Sequence, residues 1–155
     1  MAAQHGVLVE RLEIETGAGL VVAEASGPRD GLLVVALHGY GKTASSRGWR
    51  YLFRPLAEAG CRAVAVSMPG FGESPGPRQA SRSELALLPG GPASVVLDVI
   101  GQLGHGAAVI VGYDWGAAVG LALAVNEPSA VAGLVLMRAY RYLQITTSAE
   151  SRTRE

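Results

Sequence analysis

The stretch from Ala107 to Val125 is nearly all apolar, yet it carries Gly112, Asp114, Gly116 and Gly120 inside it. It is long enough to span a bilayer. A carboxylate and several glycines at mid-span suit a lipid-facing helix poorly, however. The β-branched residues cluster at its start, in Val109-Ile110-Val111. A buried strand turning sharply into a buried helix accounts for this pattern. Such a unit needs neighbouring strands and covering helices, so the corner points to an α/β chain rather than a membrane span.

The rest of the sequence supplies those neighbours. Val7 to Ile14 and Leu20 to Ala25 read as strands joined at Gly17-Ala18-Gly19, an antiparallel hairpin. Leu32 to Leu37, Cys61 to Val66 and Val131 to Met137 are short apolar runs of the kind buried on both faces of a parallel sheet. Helical spacing recurs over Trp49 to Ala59, Ala93 to Leu103 and Ala117 to Asn126, with Pro55 predicting a kink or a late start in the first helix. Residues 75 to 92 read as a polar, Pro/Gly-rich connection. The alternation predicts a three-layer α/β sandwich with a mostly parallel sheet in residues 1–137, followed by a polar, arginine-rich tail over 138–155.

With 155 residues, the chain suits one domain with a real core. Thirteen Lys and Arg balance thirteen Asp and Glu, which argues against nucleic acid or an anionic membrane surface as a partner. The single cysteine, Cys61, excludes a disulfide framework and a multi-cysteine metal site. It opens an apolar run and reads as a small core residue. The first residues lack a charged segment followed by an apolar one, so the expectation is a soluble, cytoplasmic protein.

Gly112-Tyr113-Asp114-Trp115-Gly116 has the spacing of a strand–nucleophile–helix corner, with Asp in the nucleophile position. A turn that sharp places its central residue at positive φ, which Asp tolerates better than most side chains. Gly112 and Gly116 leave room for neighbouring backbone, and the helix N-terminus favours an ionised carboxylate. A plain N-cap role for Asp114 explains the same residue equally well from the spacing alone.

Further along the chain the company of this corner is informative. His38-Gly39 follows the third strand, with Trp49 some ten residues later, and Pro69-Gly70-Phe71-Gly72-Glu73-Ser74 follows the fourth. Together these motifs resemble the α/β-hydrolase superfamily over about residues 8 to 137. The Gly-x-Asp-Trp-Gly corner is similar to that of the epoxide hydrolase and haloalkane dehalogenase branch. No cofactor or metal is expected, since the spacing of His, Asp and Glu offers no ligand set. The resemblance implies a small-molecule substrate, with Asp114 attacking an electrophilic carbon to leave an alkyl ester. It further implies an oxyanion site made by the backbone N–H groups of Tyr40 and Trp115. By the same resemblance His38 shapes its loop, and the Trp115 indole is either a leaving-halide contact or a packed wedge. Tyr40 replaces the halide-binding Asn of many dehalogenases, which tilts the reading toward epoxides.

The departures are equally specific. Superfamily members continue with a cap and two more strands that deliver an acid and a histidine, and this sequence has no counterpart to those parts. Arg138-Ala139-Tyr140 occupies the place of an alternative acid, and Ser67 stands where the family often has Asp. Of three histidines, His5 precedes the peripheral first strand and His38 belongs to the oxyanion loop. His105 lies at the far end of the strand leading to Asp114, about 20 Å or more away at ~3.3 Å per residue. The expectation is a chain that alkylates at Asp114 without turning over. Val131 to Met137 is expected to be an uncovered apolar edge that promotes self-association. Two alternatives stand beside this reading. One is a non-catalytic binding module of the same fold. The other is a relaxed phosphate-binding loop over residues 36–43, with Lys42 on phosphates and Thr43 on a Mg²⁺ ion.

Overall fold

The computed structural model describes residues 2–4, 7–76 and 91–139. Strands β1 (Ala2–Gln4), β2 (Val7–Thr16), β3 (Gly19–Ser26) and β4 (Leu32–Leu37) come first. A 3₁₀ turn (Ser46–Trp49) leads into helix α1 (Arg50–Glu58) and then strand β5 (Cys61–Ser67). Helix α2 (Gly91–Gln102), strand β6 (Ala108–Tyr113), helix α3 (Trp115–Asn126) and strand β7 (Val131–Met137) complete the described order.

These strands form one mixed sheet in the order β1-β2-β3-β5-β4-β6-β7. The predicted hairpin is present, with Thr16 opposite Gly19 at its turn, and β3 continues antiparallel onto β5. From there β5, β4, β6 and β7 run parallel. Residues 138 and 139 follow β7; the remainder of the tail, like His5 and residues 77–90, lies outside the described residues.

Alternation along β4 shows why its apolar run is continuous. Leu33, Val35 and Leu37 pack with Val95, Val99, Ile100, Val119 and Leu123 of α2 and α3. Val34 and Ala36 pack with Trp49 and Phe53 on the opposite face. Both faces are therefore covered, as in parallel sheets generally. Helix α1 runs through Pro55 rather than starting after it. The proline removes a hydrogen bond to the carbonyl of Tyr51, an exposed residue in the first turn where water can satisfy that group.

The connection after β4 leads to β5 on one side, whereas the chain returns from β5 to β6 on the other side of β4. The C-terminal ends of β4 and β6 therefore meet at a topological switch point, the usual location of a ligand crevice in α/β sheets. The stretch Ala107–Val125 forms a strand and a helix separated by one residue, and no described helix is long and apolar enough to cross a membrane. Helix α3 starts at Trp115, two residues earlier than its apolar pattern predicts. Close backbone approach explains the tighter corner. A Cβ on Gly112 would lie 2.5 Å from the Gly116 carbonyl oxygen, and one on Gly116 only 2.3 Å from the Leu37 carbonyl oxygen.

Candidate active site

Asp114 is the single residue between β6 and α3, with φ 53° and ψ −114°. A non-glycine residue in that region is held against a local energy cost, and such strain concentrates at functional positions. Asp114 occupies the N-cap position of α3, but its side chain makes no capping hydrogen bond. The plain N-cap alternative is therefore not what the carboxylate does. Instead Oδ2 accepts a hydrogen bond from the Tyr40 backbone N–H, at 3.3 Å. The backbone N–H of Asp114 donates to the Met137 carbonyl at 2.9 Å, which ties the corner to the end of β7.

The loop after β4 reaches the corner because Gly39 has no side chain. A Cβ there would meet the Tyr113 ring at 2.9 Å and the Asp114 Cβ at 3.1 Å. The second amide named from the sequence, that of Trp115, is the first of α3 and so has no acceptor within its helix. The Trp115 indole is buried, stacked on Phe71 at 5.9 Å and tilted toward His38 at 6.3 Å. Phe71 also contacts His38 at 4.9 Å and Tyr40 at 5.8 Å. It is the hub of an aromatic floor that the sequence motif does not announce; its only signal is an aromatic residue inside a Pro-Gly-x-Gly loop.

His38 is buried and structural in its contacts. Its Nε2 accepts from the Met68 N–H at 3.0 Å, so the proton resides on Nδ1, which donates to the Gly39 carbonyl at 2.7 Å. Burial pushes its pKa below the ordinary imidazole value, partly offset by the Gly39 hydrogen bond. With both nitrogens engaged, this imidazole has no lone pair to offer a water. His105 precedes β6, at the opposite end of the strand from Asp114, and its amide bonds to Ile100.

The two flanking loops are pinned by buried polar groups. Ser67 Oγ accepts from the Ser46 N–H at 3.0 Å, and Ser74 Oγ accepts from the Val22 N–H at 2.8 Å. Glu24, buried on β3, is held by Arg50 and by the Ser46 hydroxyl, fixing the approach to α1. Beside Gly39 and Tyr40 lies a cavity of about 470 Å³, lined in part by Trp49, Tyr51, Tyr113 and Met137. Among the described residues, its lining carries no Asp, Glu, Lys or Arg. Lys42 and Thr43 lie in a loop that enters a helix only at Ser46 and Arg50, and Ala36 is a buried strand residue. Among the described residues no three His, Cys, Asp or Glu side chains converge on one point.

A family model described as the alpha/beta hydrolase fold matches residues 33–153. The chain belongs to the alpha/beta hydrolase fold family. Within it, this alpha/beta hydrolase lies with the epoxide hydrolase-like branch. It is 36% identical to epoxide hydrolase B of Mycobacterium tuberculosis over 114 residues, which are 74% of this chain and 30% of that protein. It is 33% identical to bifunctional epoxide hydrolase 2 of Sus scrofa over 131 residues, 84% of this chain and 21% of that protein. The chain thus spans about a third or less of the length of these curated relatives. Among solved structures, an epoxide hydrolase from an endophytic Streptomyces superposes with a TM-score of 0.73 at 28% identity, covering 86% of this chain and 37% of that one.

Proposed function

We propose that this alpha/beta hydrolase acts through Asp114 as a nucleophile on a small organic electrophile, an epoxide in preference to an alkyl halide. One observation carries the reading: a strained carboxylate at a strand–helix corner, not used as a cap, faces the Tyr40 amide. Similarity to proteins named epoxide hydrolases supports the choice of electrophile.

In the first half-reaction a carboxylate oxygen of Asp114 forms a bond to an epoxide carbon as the C–O bond breaks. The electron pair leaves with the epoxide oxygen, which takes a proton from water, and an ester remains on Asp114. Hydrolysis of that ester needs a water made nucleophilic by a base, with the Tyr40 and Trp115 amides stabilising the resulting oxyanion. Neither described histidine is placed to be that base: His38 is committed on both nitrogens, and His105 is at the other end of β6. The 155-residue chain is therefore expected to form the ester and retain it.

Mass spectrometry of the chain after exposure to an epoxide and, separately, a chloroalkane tests this. One adduct on the peptide carrying Asp114, absent from Asp114→Ala, is the expected result. No adduct at Asp114 overturns the nucleophile assignment and favours a non-catalytic binding module. Steady multiple turnover overturns the retention of the ester.

A further inference from the structure

Asp114 and Arg138 are the only non-glycine residues at positive φ among the described residues, at 53° and 54°. They follow the ends of the adjacent strands β6 and β7, and the Asp114 amide is bonded to the residue before Arg138. Positive φ in non-glycine residues recurs at two neighbouring strand ends, and such conformations cluster at functional sites.

The surroundings of Arg138 are distinctive. Its Nη1 donates to the Tyr113 hydroxyl at 2.9 Å, and its guanidinium lies 5.8 Å from the centre of the Tyr113 ring. Two contacts thus fix an exposed cation beside the residue that precedes Asp114. Every other described arginine is ion-paired: Arg11 with Glu13 and Glu73, Arg29 and Arg62 with Glu10, Arg47 with Glu73, Arg50 with Glu24, and Arg54 with Glu58. Arg138 has no carboxylate within ion-pair distance among the described residues. Asp114 lies beyond direct contact, yet close enough for its charge to act on Arg138. Tyr113 and Met137, the residues immediately before Asp114 and Arg138, line the cavity of about 470 Å³, which neither Asp114 nor Arg138 lines itself.

We propose that Arg138 is an anion-binding residue of this site, selecting small electrophiles that carry a carboxylate, such as epoxy acids. The proposal rests on the reading of Asp114 as nucleophile and adds the substrate class. A planar guanidinium with free donors matches a carboxylate's two oxygens. It also offsets the repulsion between that carboxylate and the ionised Asp114, which would otherwise slow approach. The carboxylate of such a substrate would meet Arg138 and its electrophilic carbon Asp114, with the cavity lined by Tyr113 and Met137 alongside for the remainder of a larger substrate.

The test uses the 155-residue chain and two probes of similar size, glycidate (anionic) and glycidol (neutral). The rate of ester formation at Asp114 is read by mass spectrometry and divided by the probe's rate with acetate in solution. The expected glycidate-to-glycidol ratio exceeds one, falls about tenfold in Arg138→Gln, and is partly kept in Arg138→Lys, the scale of a charge-assisted contact. In the unaltered chain the ratio falls as salt is raised. A ratio indifferent to both Arg138→Gln and salt overturns the proposal while leaving Asp114 as the nucleophile. Labelling of Asp114 by neither probe overturns the nucleophile assignment itself, and this proposal with it.

Discussion

The imidazole of His38 accepts the Met68 amide through Nε2, at 3.0 Å, across the gap between the ends of β4 and β5. That bond, with the Nδ1 contact to Gly39, joins the loop carrying Tyr40 to the loop carrying Phe71. It exists only while the ring is neutral on Nε2.

A pH dependence follows. The ordinary imidazole value is 6.5, and burial holds the folded value below it. As pH falls through about 6.5 the unfolded chain takes up a proton at this residue and the folded chain does not. Stability is therefore full above that pH and declines below it. Urea unfolding at about pH 5 and about pH 7.5 should show the loss, and His38→Gln should reduce the difference while lowering stability at both.

Gly116 sets the height of the corner. Its α3 turn lies against the ends of β4, where an added methyl would meet the carbonyl oxygens of Leu37 at 2.3 Å and His38 at 2.6 Å. Neither oxygen belongs to a side chain that can swing away. Gly116→Ala is expected to cost about 2–3 kcal/mol in equilibrium unfolding, and a neutral result would show that the corner can open.

Asp114→Gly separates stability from chemistry. Removing the side chain relieves positive φ at the cost of a single weak hydrogen bond to Tyr40. The variant should gain about 1 kcal/mol in unfolding measurements and lose all labelling by epoxides. Destabilisation instead would mean that the carboxylate supports the fold.

Self-association is the expected behaviour of the isolated chain. Strand β7 pairs with β6 alone among the described residues, and Val135 on it is 47% exposed. Unpaired apolar edges template further strand pairing. Sedimentation should show concentration-dependent oligomers that Val135→Lys suppresses; a monomer at all concentrations would refute this.

The secondary structure was legible because its signals are local. Apolar runs at Leu32–Leu37 and Cys61–Ser67, helical spacing after Trp49, and glycines flanking Asp114 act within a few residues, and the strands form where those signals lie. One strand, β1 (Ala2–Gln4), carries no such signal and forms by pairing with β2. Elsewhere boundaries moved: α3 begins at Trp115 because Gly112 and Gly116 let the backbones close up, and α1 passes Pro55, whose lost hydrogen-bond partner is on exposed Tyr51.

By itself, then, the sequence determined a parallel α/β sheet and a carboxylate perched on a tight corner within it. Tertiary structure alone decided the company of that carboxylate. Tyr40 is 74 residues from Asp114, and Phe71 and Arg138 arrive from two other loops. No local pattern encodes those meetings. They follow from strand order, which is fixed by burying both faces of β4 at once and which carries the ends of β4, β5, β6 and β7 to one rim.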